Sequence, residues 1–183
     1  LKKCYFSPRL SYERMRIAKL VQPKEIIVNM FAGVGCYSII IAKYSEAEKI
    51  FSIDINPHAV EYMKENIWLN KVEDKVVPIL GDAKVVIEKS LSGMADRVLM
   101  PLPEKAYEFL ETAIQALKPN GGWIHYYSFE HARKDEDPIE KAKLKLIEKF
   151  EELGIKCNLA FGRIVRGTGP NWYQITIDIE INP

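Results

Sequence analysis

Val28-Asn29-Met30-Phe31-Ala32-Gly33-Val34-Gly35, followed one strand later by Ile50-Phe51-Ser52-Ile53-Asp54, decides how this chain is read. An apolar strand from Glu25 to Met30 enters a glycine-containing turn, and a helix from Tyr37 to Tyr44 leaves it. Gly33 and Gly35 let the backbone pass close to a ligand where a Cβ would collide. Asp54 ends the next strand, where a carboxylate accepts both hydroxyl protons of a ribose. That is the pattern of a nucleoside-cofactor site. The turn lacks a third glycine, and Val34 and Cys36 leave little room for a pyrophosphate on the helix N-terminus. A cofactor without phosphate is therefore expected, and S-adenosylmethionine (AdoMet) is the common one. Phe31, Gly33, Gly35, Asp54 and Ile55 are its candidate contacts on this part of the chain.

The 183 residues, 48% of them apolar, suit a single domain with a full core. Lys and Arg total 26 against 25 for Asp and Glu, so the net charge of +1 gives no overall bias towards polyanions. The basic residues are uneven, however: residues 1–20 hold Lys2, Lys3, Arg9, Arg14, Arg16 and Lys19 against the single acid Glu13. Cys4, Cys36 and Cys157 have neither the number nor the spacing of a disulfide framework or a zinc site, which points to a reducing, cytoplasmic compartment and to no metal. The uncharged span Ile26 to Ala42 is broken by Asn29, Gly33, Gly35 and Ser38 and falls short of the ~20 apolar residues of a membrane helix. It reads as a buried strand plus helix. The chain opens Leu-Lys-Lys with no initiator Met and no signal peptide, so a piece of a longer protein is expected.

Helix and strand patterns alternate from end to end, with no internal repeat. After an opening helix at about 11–21 come strand 26–30, helix 35–44, strand 49–54, helix 57–69, strand 75–80, a short helix near 83–89 and strand 95–100. Helix 104–117, strand 121–128, helix 138–153 and two closing strands near 156–166 and 172–181 follow. The first strands are short and almost wholly apolar, as in a parallel sheet covered on both faces. The last strand alternates, with Tyr173, Ile175, Ile177, Ile179 and Ile181 on one face and Gln174, Thr176, Asp178 and Glu180 on the other, which suits an antiparallel edge pair. The predicted fold is α/β, a doubly wound, mostly parallel seven-stranded Rossmann-like sheet of the methyltransferase type with an antiparallel C-terminal edge pair. Ligands in such sheets bind at the carboxyl ends of the strands.

Two further motifs fall there. Asp82, in Leu80-Gly81-Asp82-Ala83, is placed to accept a hydrogen bond from an adenine amino group, with Ala83 beside it; the plain alternative is an N-cap of the short helix that follows. Asp96-Arg97-Val98-Leu99-Met100 runs into Pro101-Leu102-Pro103-Glu104. Two prolines fix two φ angles and remove two N–H donors, giving a stiff loop suited to lining an acceptor pocket, or simply to ending the strand.

With Tyr5-Phe6-Ser7-Pro8-Arg9-Leu10-Ser11-Tyr12-Glu13-Arg14 and the His125-Tyr126-Tyr127 strand, these motifs resemble the archaeal-eukaryotic tRNA (guanine-N1) methyltransferase family through essentially the whole chain. That family modifies the guanosine 3′ of the anticodon. It includes archaeal wyosine-pathway methyltransferases and a sister enzyme that transfers the aminocarboxypropyl group of AdoMet. The resemblance implies that Glu13 is the general base, Arg9 lies near the target nucleotide and Tyr5 lines the base pocket. It also implies that Asp54 and Asp82 contact ribose and adenine, and that Pro101 and Pro103 bound the acceptor loop. It implies a tRNA anticodon loop as partner, gripped by an N-terminal part that precedes the catalytic domain in full-length relatives, and no membrane. We expect a monomer. Guanine N1 carries a proton at neutral pH, so a carboxylate that removes it during transfer contributes ~10²–10⁴-fold. The bland alternative for Glu13 is a surface residue paired with Arg16, worth ~0.2–0.5 kcal/mol. Arg9 and Arg14 suit phosphate contacts or plain solvation.

Two positions depart from the guanine-N1 pattern, Asn29 where the family usually has Asp and Pro101 where it has Asn. Proline offers neither a side-chain amide nor an N–H to an acceptor base. A proline-first loop resembles the wyosine-branch methyltransferases, some of which methylate a carbon of 4-demethylwyosine to give isowyosine and some of which retain guanine-N1 activity. The expected function is methylation of the purine 3′ of the anticodon at one or both of these acceptors. Aminocarboxypropyl transfer, a non-catalytic AdoMet- or RNA-binding module, and methylation of a small molecule or protein are the alternatives. His125 reads as a satisfied sheet residue, His58 and His131 as surface positions, and Arg163 and Arg166 as part of a flexible hairpin. Lys141, Lys143, Lys145 and Lys149, interleaved with glutamates, read as a solvated helix face.

Overall fold

A short helical turn at Pro8–Leu10 leads directly into α1 (Ser11–Leu20), and the parallel strands begin after it: β1 (Ile26–Asn29), β2 (Lys49–Asp54), β3 (Val76–Leu80), β4 (Arg97–Met100) and β5 (Gly122–His131). The computed structural model describes Cys4 and residues 6–183. Helices α2 (Cys36–Tyr44), α3 (Pro57–Asn70), α4 (Ala83–Val86), α5 (Leu110–Ala116) and α6 (Pro138–Glu152) connect the strands, and β6 (Cys157–Gly169) and β7 (Trp172–Ile181) close the sheet. The order is β3-β2-β1-β4-β5-β7-β6, with β7 antiparallel to both its neighbours. The chain reverses direction across the sheet between β1 and β4, which is where a doubly wound sheet opens its ligand crevice.

Local sequence explains where the helices start. Asn56 caps α3 by accepting from His58 N, Asp137 caps α6 by accepting from Ile139 N and Glu140 N, and each cap is followed by a proline at the first helical position. Two apolar layers cover the sheet. One packs Met30, Val98, Met100, Leu110 and Phe150 under α4, α5 and α6, and the other packs Ile17, Ile27, Ile41, Met63 and Tyr127 under α1, α2 and α3.

One expectation needs correction. Residues 104–117 are not one helix: the carbonyl of Leu102 accepts from both Lys105 N and Ala106 N, a 3-10 turn spans Ala106–Phe109, and the α-helix proper is Leu110–Ala116. The proline-bounded loop before it has to turn before a helix can start. Within the closing antiparallel pair β7 lies between β5 and β6, and its polar residues Gln174, Thr176 and Asp178 are buried. Arg163 and Arg166 lie on β6, which is bulged at three places and runs on to Gly169 before turning back into β7, and Arg166 Nε donates to Gln174 Oε1 at 2.7 Å. The strand 121–128 likewise extends to His131.

Candidate active site

Asp54 organises the turn after β1. Its Oδ2 accepts from Gly33 N at 2.7 Å and its Oδ1 from Asn56 N at 2.9 Å. Each oxygen keeps a further lone pair for a hydroxyl donor. Ile55 next to it is 69% exposed, an apolar side chain held in the open beside the Asp54 carboxylate. Gly33 has φ +57° and a Cβ there would meet nothing within 4 Å, so the space above it is open. Gly35 is different. At φ +88° its missing Cβ would lie 2.9 Å from Met63 Cγ, so a side chain here would press against α3.

Phe31 leaves the turn on the other side and meets Phe109 edge to face, ring centres 5.2 Å apart. This contact ties the Gly33 turn to the segment that follows Pro101-Leu102-Pro103 at the end of β4. Asp82 is an N-cap: its Oδ1 accepts from Lys84 N and Val85 N, and its second oxygen is left for another donor. Ala83 is buried behind it. Asn29 is fully buried, its Nδ2 donating to Ser38 Oγ at 3.1 Å, with Ser52 Oγ donating to the same Ser38 oxygen at 2.6 Å. A neutral amide fits that uncharged triad, whereas a carboxylate there would be a buried charge among hydroxyls.

Glu13 is not on the surface. It is 1% exposed, with Arg16 Nε 3.1 Å from both carboxylate oxygens, Arg16 Nη2 donating to Oε1 at 2.7 Å and Tyr127 Oη donating to Oε1 at 2.9 Å. Arg163 reaches across from β6 to within 3.6 Å of Oε2 while lying 4.6 Å from the centre of the Tyr12 ring. The pair with Arg16 is therefore real, but it is buried and anchored. Arg16 Nη1 and Nη2 donate to Asp178 Oδ2 and Oδ1 at 2.6 and 3.0 Å, and His125 Nδ1 lies 2.6 Å from Asp178 Oδ1. His125 Nε2 lies 2.7 Å from Arg97 Nη1, and Arg97 makes a two-pronged bond to Glu25 at 2.8 and 2.9 Å.

The electrostatics follow from burial and pairing. Burial pushes the His125 pKa below its ordinary value against the pull of Asp178. The ring is then neutral, accepts from Arg97 at Nε2 and donates to Asp178 at Nδ1. Burial also opposes ionisation of Asp178, yet His125 and Arg16 hold its carboxyl well below the usual range. For Arg16 burial works to lower the pKa, and the bonds to Asp178 and Glu13 more than reverse it. Burial, reinforced by Tyr37 and Glu13, pushes Tyr127 well above an ordinary phenol, so it serves Glu13 as a hydrogen-bond donor.

Arg14 lies behind this cluster, 8% exposed, with Nη2 donating to Ser7 O at 2.9 Å and its guanidinium 5.5 and 5.8 Å from the Phe6 and Tyr37 ring centres. It has no carboxylate partner among the described residues. It lines a cleft of about 850 Å³ whose walls include Phe6, Val34, Cys36, Tyr62 and Asn66. Arg9 is exposed on the turn before α1. Tyr5, expected in the base pocket, lies outside the described residues. Among the described residues no cluster of His, Cys, Asp and Glu could hold a metal, and no helix is long and apolar enough to cross a membrane.

Residues 1–158 match the family described as the TRM5/TYW2 methyltransferase domain. The chain belongs to that family. Among curated TRM5/TYW2 relatives, tRNA (guanine(37)-N(1))-methyltransferase Trm5b of Pyrococcus abyssi is 44% identical over 180 residues, 98% of this chain and 51% of the relative. tRNA 4-demethylwyosine(37)-methyltransferase Taw21 of Saccharolobus solfataricus is 41% identical over 181 residues, 98% of this chain and 63% of the relative. The tRNA(Phe) (4-demethylwyosine(37)-C(7)) aminocarboxypropyltransferase of Methanocaldococcus jannaschii is 40% identical over 169 residues, 92% of this chain and 64% of the relative.

Solved structures agree. Trm5b of P. abyssi superposes with a TM-score of 0.86 at 44% identity, covering 99% of this chain and 51% of that one. A complex of aTrm5 with tRNALeu gives 0.82 at 41%, covering 98% and 48%. TYW2 of M. jannaschii in complex with AdoMet gives 0.86 at 31%, covering 99% and 79%. The chain thus spans about half the length of the Trm5b relatives it matches.

The sequence does not reveal Tyr127 and Arg163 as neighbours of Glu13, nor Asp178 as a second partner of Arg16, and it offers Arg16 only as a surface partner. One signal was available: polar residues alternating with isoleucines in a strand that the topology places inside the sheet must face something polar.

Proposed function

We propose that residues 1–183 form one AdoMet-dependent tRNA methyltransferase domain, acting on the purine 3′ of the anticodon at guanine N1, at a carbon of 4-demethylwyosine, or at both. The observation that carries this reading is the meeting, at the carboxyl ends of β1 and β4, of the Asp54-tied turn and the stiff Pro101–Pro103 loop, joined through Phe31 and Phe109. The residues fit a nucleoside cofactor without phosphate. Asp54 keeps acceptor capacity for a ribose, Ile55 offers an exposed apolar surface, Asp82 keeps one oxygen, and Asn29 Oδ1 is buried with no partner among the described residues.

When bound, AdoMet supplies an electrophilic methyl group on a sulfonium. The chain's part is to hold it, to present the acceptor base against the proline loop, and to take the proton that the base sheds. Glu13 takes that proton on Oε2, the oxygen towards Arg163, while Arg16 and Tyr127 hold Oε1. Displacement of Arg163 and Tyr12 opens this oxygen to the base. Arg9 and Arg14 contact phosphates of the anticodon loop. The domain works as a monomer in a reducing cytoplasm, in keeping with free Cys4, Cys36 and Cys157.

The test incubates the full-length protein and AdoMet with two tRNA pools, one carrying unmodified guanosine and one carrying 4-demethylwyosine beside the anticodon, and digests them to nucleosides for mass spectrometry. A methyl adduct in either pool supports the reading and assigns the acceptor. An aminocarboxypropyl adduct, or none, contradicts it.

A further inference from the structure

The buried polar side chains from Glu13 to Glu25 leave one question: why the arginine beside the candidate base is shared. Arg16 presents its guanidinium to two carboxylates at once, Glu13 through Nε and Nη2 and Asp178 through Nη1 and Nη2. We propose that Asp178 is a positioning residue for methyl transfer: by holding one side of Arg16 it fixes the angle at which Arg16 meets Glu13 and withholds part of that positive charge from the base. This rests on the reading of Glu13 as the base.

The physical argument is one of competition. A carboxylate that has an arginine to itself is stabilised as the anion and is a weaker proton acceptor. Sharing Arg16 divides its positive charge between two anions and fixes the angle at which its fork meets Glu13. Asp178 is itself immobilised. It sits opposite His125 in the β5–β7 ladder, 4% exposed, and accepts from His125 Nδ1 at 2.6 Å, while Arg97, locked onto Glu25, holds the other ring nitrogen. The site is built from β4, β5, β7 and α1, so Glu13 is referred to the sheet and not to its own helix alone.

The groups that face this pair are few and named. Glu13 is met by Arg16 of α1, Tyr127 of β5 and Arg163 of β6, with Tyr37 of α2 behind Tyr127. Asp178 is met by Arg16 and by His125. Of these, Arg163 is the cation that neutral replacement of Asp178 leaves untouched.

The experiment is single-turnover methyl transfer by the full-length protein, with AdoMet and tRNA saturating, followed from pH 4.5 to 8 for the wild type, Asp178→Asn, Arg16→Lys and Glu13→Gln. AdoMet affinity reports that each variant is folded. In Asp178→Asn, Arg16 turns wholly to Glu13, so the acid limb moves to lower pH by roughly half a unit to one unit and the plateau rate falls several-fold. In Arg16→Lys the charge remains but the fork across both carboxylates is lost, and the limb moves to higher pH. Shifts of opposite sign support the proposal, because general structural damage lowers rates at every pH without moving the limb in two directions. If Asp178→Asn does not fold, the upward shift in Arg16→Lys alone decides. An unmoved or upward limb in Asp178→Asn, with Glu13→Gln inactive, overturns this inference and leaves the base reading standing. Full activity in Glu13→Gln overturns both.

Discussion

His125 and Asp178 face each other across the β5–β7 ladder with Nδ1 and Oδ1 2.6 Å apart, both buried, the histidine neutral and the aspartate ionised. The pairing has a consequence for acid stability. Because the folded pKa of His125 is lowered, the unfolded chain takes up a proton that the folded chain refuses. The stabilisation is complete above the unfolded value of about 6.5 and is lost as pH falls from there towards the folded value. Asp178 adds its own loss only below about pH 4. The melting temperature of the wild type should therefore fall between pH 7 and 5.5. In His125→Gln the protein should be less stable at neutral pH but nearly flat across that window. An unchanged slope in the variant would show that His125 is not the titrating group.

Asp54→Asn tests the cofactor turn. The amide keeps the shape but offers one acceptor oxygen where two were used, for Gly33 N and Asn56 N. Hydrogen bonds to a charged group are worth ~1.5–3 kcal/mol, so AdoMet affinity measured by calorimetry should fall roughly 10–100-fold. Affinity within twofold of wild type would remove Asp54 from the site.

The two glycines of the turn should separate cleanly. Gly35→Ala meets Met63 and a left-handed backbone, which together cost ~1–3 kcal/mol of stability. Gly33→Ala pays the backbone strain alone, about 1 kcal/mol, but places a methyl in the open space where a cofactor would lie. Denaturant titration should rank Gly35→Ala as the more destabilised, and calorimetry should rank Gly33→Ala as the weaker AdoMet binder for its loss of stability. The reverse order in calorimetry would contradict the placement of the cofactor over Gly33.

Pro101→Asn restores a side chain able to pair with a guanine edge at the end of β4. Methyl transfer to unmodified guanosine should rise several-fold relative to transfer to 4-demethylwyosine, read as the ratio of the two nucleoside products. A ratio unchanged by the substitution would take Pro101 out of acceptor choice.

Most of the fold could be read from the chain because its signals are local. Short apolar strands, capped helices with Pro57 and Pro138 at their first turns, and the Gly33 turn are each written in neighbouring residues. That Asp54 meets the Gly33 turn is legible for the same reason, since its distance from the turn is set by one helix and one strand. The surroundings of Glu13 are not. Tyr127 and Arg163 come to it from β5 and β6, Asp178 comes to Arg16 from β7, and only the strand order brings them there. The alternation in β7 does not say what meets its polar face: Asp178 meets Arg16 of α1 and His125 of β5, and Gln174 meets Arg166 of β6. The Pro101–Pro103 loop was recognised, but not that it must turn before helix α5 can begin.

The measurement that bears most directly on the proposed chemistry is single-turnover methyl transfer to tRNA by Glu13→Gln of the full-length protein, with AdoMet affinity determined in parallel. Glu13 is tied to Arg16 and Tyr127, and neither partner belongs to the Asp54 turn, so the cofactor should bind within about twofold of wild type. The rate should fall by ~10²–10⁴-fold, the usual contribution of a general base. A wild-type rate in a variant that binds AdoMet normally would contradict the assignment and leave Glu13 as a structural anchor between α1 and the sheet.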